Sequence, residues 1–355
     1  MDLRTYLQYA EEVVGQLSDL SDTRKRHFRH MIAGIQSRSN NPYLHTTLIG
    51  DFSTGKSTFI NALLGQELLK TSWHATTAIP TLIYHHDQNG IGVLVETRDG
   101  GKYQMDQPDQ RILLERRLGI RLPTEDRDLI AVLSTSNQPY LKRIRVRVRS
   151  HERLRYICII DTPGVNPGAE EALEHIKRTQ DVLRRYADAT VVLFQATQVY
   201  SGSFKRFLEE NAQCFMNEAI FVITMMDIVS VDQRESLIAY VKNQLRQGFH
   251  IEEPIVCGCC ARAVFVREPS EEERLWVDSF DNLRDGLIRH MAERRRGILY
   301  RQASSLLEKL LRELDSEIAT RLTSFGTMEQ GDKRRNFEQA RRKMQECLRD
   351  LEQKG

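Results

Sequence analysis

The stretch Gly50-Asp51-Phe52-Ser53-Thr54-Gly55-Lys56-Ser57 constrains this chain more than any other part of it. It fits G-x-x-x-x-G-K-[ST], follows the strand-like run Tyr43 to Ile49, and leads into the helical Ser57-Thr58-Phe59-Ile60-Asn61-Ala62-Leu63-Leu64. Such a loop needs a strand before it and a helix behind it. The glycines let successive N–H groups curl around phosphates, and the helix N-terminus adds positive potential. Lys56 then reaches the β and γ oxygens, and Ser57 ligates Mg²⁺. The competing reading, a glycine turn with a surface lysine, asks for neither flank. An α/β fold built around this first strand is therefore expected.

The rest of the chain falls into three zones, 1–36, 37–292 and 293–355. In the first, Leu3, Tyr6, Leu7, Ala10, Val13, Val14, Leu17 and Leu20 step by three and four, the stripe of an amphipathic helix. Phe28, Met31, Ile32 and Ile35 predict a second. In the middle zone, β-rich runs alternate with helical patterns, the order of a parallel sheet covered by helices: Tyr43–Ile49, Tyr156–Ile160, Ala189–Phe194, Ala219–Thr224 and Pro254–Cys257. Extra strand-like segments, Ile91–Glu96 and Ile144–Val148, predict a mixed sheet extended antiparallel on one side. A last helix of this zone is opened by Pro269 and the capping box Ser270 to Glu273. From Arg294 a separate helix is expected with Leu299, Ala303, Leu306, Leu310, Leu314, Ile318 and Leu322 on one face. A final stripe of Phe337, Met344, Cys347, Leu348 and Leu351 completes a helical hairpin. The terminal zones are expected to pack together as a bundle.

Two further motifs stand in the right order behind the phosphate loop. Asp161-Thr162-Pro163-Gly164 ends a strand as D-x-x-G does in GTPases, where the Asp holds Mg²⁺ through water and the Gly N–H senses the γ-phosphate. Simple turn chemistry is the alternative. Thr224-Met225-Met226-Asp227 ends another strand where GTPases carry [NT]-K-x-D, with Asp227 as guanine reader or as an ordinary strand-end acid. Met225 replaces the lysine, keeping an apolar stem and losing a charge, which leaves ATP open as the nucleotide. Val165 stands where Ras-like enzymes carry the glutamine that orients water.

Leu48 to Leu69, followed by Ala75-Thr76-Thr77-Ala78-Ile79-Pro80, resembles a bacterial dynamin-like protein of the dynamin superfamily. The loop serine Ser53, the T-x-x-P segment from Thr77 and Asp161 to Gly164 carry the resemblance. So does the long separation of Ser57 from Asp161, 161 − 57 = 104 residues. The resemblance implies a P-loop GTPase domain flanked by neck helices, and a GTP-dependent homodimer of heads. It implies that Ser53, Lys56, Thr77 and Gly164 are catalytic, and that Ser57, Thr77 and Asp161 serve Mg²⁺. Residues 50–58, Thr224, Met225 and Asp227 would hold GTP or GDP, and the backbone of Cys259 would touch guanine. A monovalent cation at the catalytic site belongs to the same expectation. Phe52 stands where several eukaryotic dynamins have glutamine. Such proteins usually continue into a longer trunk and an apolar tip.

Composition narrows the partners. Hydrophobic residues make up 40% and charged residues 28% of 355, an ordinary globular balance, and the net charge is only +2. Any anionic partner must then meet a local patch, and nucleic acid is not expected. Six cysteines without framework spacing point to the cytosol, no apolar window is long enough to span a membrane, and the start has no export pattern. Lys142, Arg143, Arg145, Arg147 and Arg149 alternate with Ile144, Val146 and Val148, which reads as the solvated face of an edge strand, with a nucleic-acid strip as the alternative. Cys257-Gly258-Cys259-Cys260 lacks the second ligand pair of a zinc site. Trp73 and His74 fall in the switch segment, with His74 a minor catalytic candidate. The expected function is a dynamin-like GTPase whose heads dimerise and whose neck swings at a membrane, peripheral on its inner face. A slow GTP-switched scaffold gripping a protein partner through its helical arms is the alternative.

Overall fold

The computed structural model describes residues 3–17, 20–41, 43–51, 53–71, 77–136, 138–165, 170–185, 187–199, 201–211, 216, 219–324 and 331–352. Along the chain the elements are α1 (Leu3–Gln16), α2 (Asp22–Ser39), β1 (Leu44–Gly50), α3 (Lys56–Leu64), β2 (Thr81–His85), β3 (Ile91–Thr97) and β4 (Lys102–Gln104). There follow α4 (Pro108–Leu118), α5 (Asp126–Ser134), β5 (Leu141–Val148), β6 (Ile157–Asp161), α6 (Glu170–Arg185), β7 (Ala189–Gln195) and α7 (Gly202–Asn211). The last are β8 (Ala219–Thr224), α8 (Val231–Phe249), β9 (Ile255–Gly258), α9 (Glu271–Ser324) and α10 (Gly331–Glu352). The chain divides into two compact units, Tyr43–Glu293 and the pair of segments Met1–Pro42 and Arg294–Gly355.

In the first unit a nine-stranded sheet runs in the order β4-β3-β5-β2-β6-β1-β7-β8-β9. From β6 to β9 all neighbours are parallel, and β6, β7 and β8 are nearly continuous apolar runs, buried almost throughout because helices cover both faces. Antiparallel pairing begins where β2 joins β6, Thr81 opposite Asp161. β2 and β4 and the helices α4 and α5 were not anticipated. β4 has three residues and α4 carries its apolar positions on two faces, so neither leaves a clear period in the sequence.

Two expectations need correction. The basic strip is no edge strand: β5 lies between β3 and β2, and Arg143 and Arg145 reach across to Glu96, at 2.8 and 2.7 Å. Alternation of charge and β-branched residues reports a strand with one polar face and cannot tell a neighbour from solvent. The helices expected to meet near Arg294 are one, the 54-residue α9. Arg294 to Arg296 are a charge run with no proline and no cap beside them, and a lone Gly297 is tolerated inside a helix.

The described elements of the second unit are all helices. Tyr6, Leu7, Ala10, Val13, Val14, Phe28, Ile32, Ile35, Leu310, Leu314, Ile318, Met344 and Cys347 share one core contributed by α1, α2, α9 and α10. The stripe on α9 is shifted from the expected one, with Leu307 fully buried and Leu306 38% exposed. At 3.6 residues per turn a run of four-residue steps drifts off the core face, and Leu307 restores it.

Candidate nucleotide site

Between β1 and α3 the chain turns through a loop that glycine alone allows. A Cβ on Gly50 would lie 2.6 Å from Thr54 Oγ1 and 2.9 Å from the Leu193 carbonyl, and Gly55 has φ +79°. Ser53 also occupies the left-handed region, φ 59°. Thr54 Oγ1 donates to the Asp51 carbonyl at 3.0 Å, so the loop is closed on itself. Ser57 and Thr58, both half-buried, follow in the first turn of α3. Lys56 is turned inward: its ammonium donates to the Gly50 and Asp51 carbonyls at 3.0 and 2.8 Å. Burial lowers its pKa to about 8, against the opposing pull of Asp161 and Asp51. Phe52 lies outside the described residues.

The second motif is sewn to the first. Val165 N–H donates to the Gly50 carbonyl at 3.3 Å, and Asp51 and Val165 form a parallel bridge. Thr162 Oγ1 donates to the Leu48 carbonyl at 2.6 Å and Thr179 Oγ1 of α6 to the Pro163 carbonyl at 3.0 Å. Gly164 is buried in this turn. Asp161, at the end of β6, accepts from Thr77 Oγ1 at 2.8 Å through Oδ2. Its other oxygen, Oδ1, is buried and accepts no hydrogen bond among the described residues. Burial raises its pKa to about 6, although the Thr77 hydroxyl and Lys56 hold it down. Thr77 is anchored through its two successors in the chain. Ala78 and Ile79 N–H both donate to the Ser134 carbonyl, and Arg178 of α6 donates to the Ala78 carbonyl at 2.6 Å. Trp73, His74 and Thr76 lie outside the described residues.

These residues fit a magnesium ion. Asp161, Thr77 and Ser57 offer hard oxygens, and the orphaned Oδ1 is the acceptor such an ion or its water would satisfy. Among the described residues no group of three or more His, Cys, Asp or Glu could hold a metal.

At the end of β8, Thr224 Oγ1 bridges the Thr54 carbonyl (2.7 Å) and the Phe194 carbonyl (3.1 Å), which ties the phosphate loop to β7. Met225 turns at φ 59°, and its Cε lies 3.8 Å from where a Gly55 Cβ would stand. The thioether covers the phosphate loop where a lysine stem is expected. Asp227 is exposed. Cys259 N–H donates to the Ile223 carbonyl at 2.8 Å and its carbonyl accepts from Met226 N–H at 3.1 Å. Both backbone groups are engaged within the fold, and the side chain is fully buried. Cys260 instead reaches Asp227. Burial, and then that carboxylate, push its thiol up to about 11.

Sequence reasoning missed Ser201. Its hydroxyl donates to Asp51 Oδ2 and accepts from Phe204 N–H at 3.2 Å, so one side chain caps α7 and holds the carboxylate of the phosphate loop. A Ser-Gly pair before a helical stripe signals a cap; nothing local signals the second contact, made 150 residues away.

A model of the dynamin family matches residues 47–226. An uncharacterized Caldicellulosiruptor protein is 21% identical over 249 residues, 69% of this chain and 54% of its own length. A probable transmembrane GTPase, FZO-like and chloroplastic, from Arabidopsis thaliana is 26% identical over 64% of this chain and 20% of its own. Dynamin-like protein 2 of Campylobacter jejuni is 20% identical over 79% and 41%. The chain thus spans about half or less of the length of these relatives. A solved bacterial dynamin, from an oligomerised pair described as sensing and tethering membranes at long range, superposes with TM-score 0.53 at 17% identity over 99% of this chain and 51% of its own. That likeness is one of fold.

Proposed function

This chain belongs to the dynamin family, and on that premise we propose that it binds GTP with Mg²⁺ and hydrolyses it to GDP and phosphate. The observation that carries the reading is the Asp161 carboxylate, buried between Lys56 and Thr77 with one oxygen unsatisfied at the mouth of the phosphate loop. A group held that way costs stability until a cation arrives.

The loop N–H groups of residues 50–58 would bind the phosphates, and Lys56 would exchange its two carbonyl acceptors for β and γ oxygens. Ser57, Thr77 and Asp161 would hold Mg²⁺, which when bound neutralises charge on the phosphates. Asp227, set by Cys260, would read the guanine edge. Val165 is 1% exposed and paired to the loop, so it cannot carry water to the γ-phosphate. Water would be placed by Ser53 and the Thr77 segment and completed across a dimer of heads, and head closure would drive the helical unit in membrane remodelling. The burial of Val165 also favours the second reading, a slow switch whose helical unit holds a partner protein.

A titration of labelled GTP tests the site. Tight binding with Mg²⁺, weaker binding without it, and loss in Lys56→Ala are expected; equal affinity in Lys56→Ala rejects the assignment. Competition by GTP and ATP, repeated in Asp227→Asn, tests the base. Intrinsic turnover of a Ras-like site is on the order of 10⁻⁴ per second, so per-molecule activity that rises with protein concentration supports the dimer. Flat activity leaves the switch.

A further inference from the structure

α6 turns a buried face of mixed character toward the sheet. Arg178, Thr179, Val182 and Leu183 are 7%, 0%, 2% and 5% exposed, at positions i, i+1, i+4 and i+5 of one helical face. Val182 shares a core with Leu82 of β2 and Ile160 of β6, and Leu183 shares another with Ile49 of β1 and Val165, so apolar packing fixes this stretch of helix to the sheet. One turn earlier the same face carries a guanidinium and a hydroxyl. A buried arginine is costly to desolvate, and packing alone would be served by an aliphatic side chain. Both polar groups are directed at loops of the nucleotide site. Arg178 Nη1 donates to the Ala78 carbonyl at 2.6 Å, and Thr179 Oγ1 donates to the Pro163 carbonyl at 3.0 Å. Ala78 follows Thr77, and Pro163 precedes Gly164. Thr77 Oγ1 also donates to Asp161 Oδ2 at 2.8 Å, so the links close into a ring from Asp161 through Pro163, Thr179, Arg178, Ala78 and Thr77 back to Asp161.

We propose that Arg178 and Thr179 act together as positioning residues for GTP hydrolysis, holding the Thr77 segment and the Asp161–Gly164 turn in one fixed relation at the mouth of the phosphate loop. The inference rests on the reading of the site as a GTP hydrolase. Each residue acts through a backbone carbonyl, Arg178 one residue beyond Thr77 and Thr179 one residue before Gly164. Adjacent residues on one helix cannot move apart, so the two carbonyls they hold keep a set separation. The guanidinium donor makes the Ala78 link charge-assisted and the stronger of the two. The Ser134 carbonyl of α5 anchors the same segment through Ala78 and Ile79 N–H, so the segment stays attached to the fold when Arg178 is replaced. What is lost is the register between the two loops. A displacement of about 1 Å in groups that place the attacking water costs on the order of 10²-fold in rate, while the grip on the phosphates, made by the loop itself, is spared.

The test compares the full chain with Arg178→Met, Arg178→Lys, Thr179→Val and the double variant Arg178→Met with Thr179→Val. Hydrogen exchange is measured first, without nucleotide. In Arg178→Met and in Thr179→Val alike, the amides of Ala78, Ile79 and Val165 are expected to exchange about tenfold faster, and those of β7 and β8 at the wild-type rate. Acceleration confined in each variant to its own loop, or none in either, overturns the proposal. In steady-state kinetics each single variant is expected to lower kcat about tenfold, with affinity for GDP held within about twofold. The double variant is expected to fall no further than the worse single one, because residues that act as a unit are not additive. Arg178→Lys keeps the charge and gives up the planar fork, so its kcat should lie between wild type and Arg178→Met, and it carries the comparison should Arg178→Met fail to fold. Unchanged kcat, losses that multiply in the double variant, or a fall in GDP affinity that matches the fall in kcat overturn the proposal. Absence of GTP turnover in wild type sinks the hydrolase reading alone, since hydrogen exchange reads the ring without nucleotide.

Discussion

Asp51 and Asp161 are two carboxylates beside a loop meant for phosphate, and the fold handles them differently. Asp51 is held by Ser201. Ser201→Ala removes a donor to a charged group, so the KM for GTP is expected to rise about fivefold to tenfold with kcat nearly unchanged. Ser201→Thr should restore it. Steady-state kinetics decide, and an equal loss in kcat and kcat/KM rejects the positioning role. Asp161 is left for a cation. Its folded pKa of about 6 lies above the usual 3.8. The folded state therefore binds the proton more tightly than the unfolded one, and this contribution is full below 3.8 and lost as pH rises through about 6. In metal-free buffer the stability difference between wild type and Asp161→Asn should change by a few kcal/mol across that window. Added Mg²⁺ should recover part of it above the window in wild type alone, as thermal denaturation across pH will show.

At the scale of elements, the sheet carries its polar content where strands meet. Glu96 on β3 is 5% exposed and faces Arg143 in register, with Arg145 alongside. Removing the acid leaves two guanidiniums in a low-dielectric neighbourhood, Arg143 the more enclosed. Glu96→Ala is expected to destabilise by roughly 3 kcal/mol in urea titrations. Glu96→Gln should cost less, because it keeps an acceptor. An unchanged midpoint in both would mean that solvent reaches the pair. β5 thus belongs to the interior of the sheet because an acid on the neighbouring strand answers its arginines, a fact about β3 that no reading of β5 alone contains.

For the whole molecule, the helical unit has a core of its own, so a cavity there is expected to act on that unit first. Leu314 is fully buried among residues from α1, α2, α9 and α10. Leu314→Ala should cost about 2 to 5 kcal/mol. Unfolding followed in the helical unit should move to lower denaturant, while GTP affinity changes less than about twofold. Loss of nucleotide binding in step with the helices would contradict this. The sequence by itself determined the phosphate loop, the parallel strands around it, the Asp161 turn and the apolar stripes of α1, α2 and α10, because loop chemistry and periodicity are local and repeat every few residues. Only the tertiary structure decided that β5 is interior, that α9 is one helix, that Cys259 faces inward and that Ser201 holds Asp51. Each of these depends on which distant group arrives opposite a side chain, and an electrostatic or hydrogen-bonding partner far along the chain leaves no mark on local spacing.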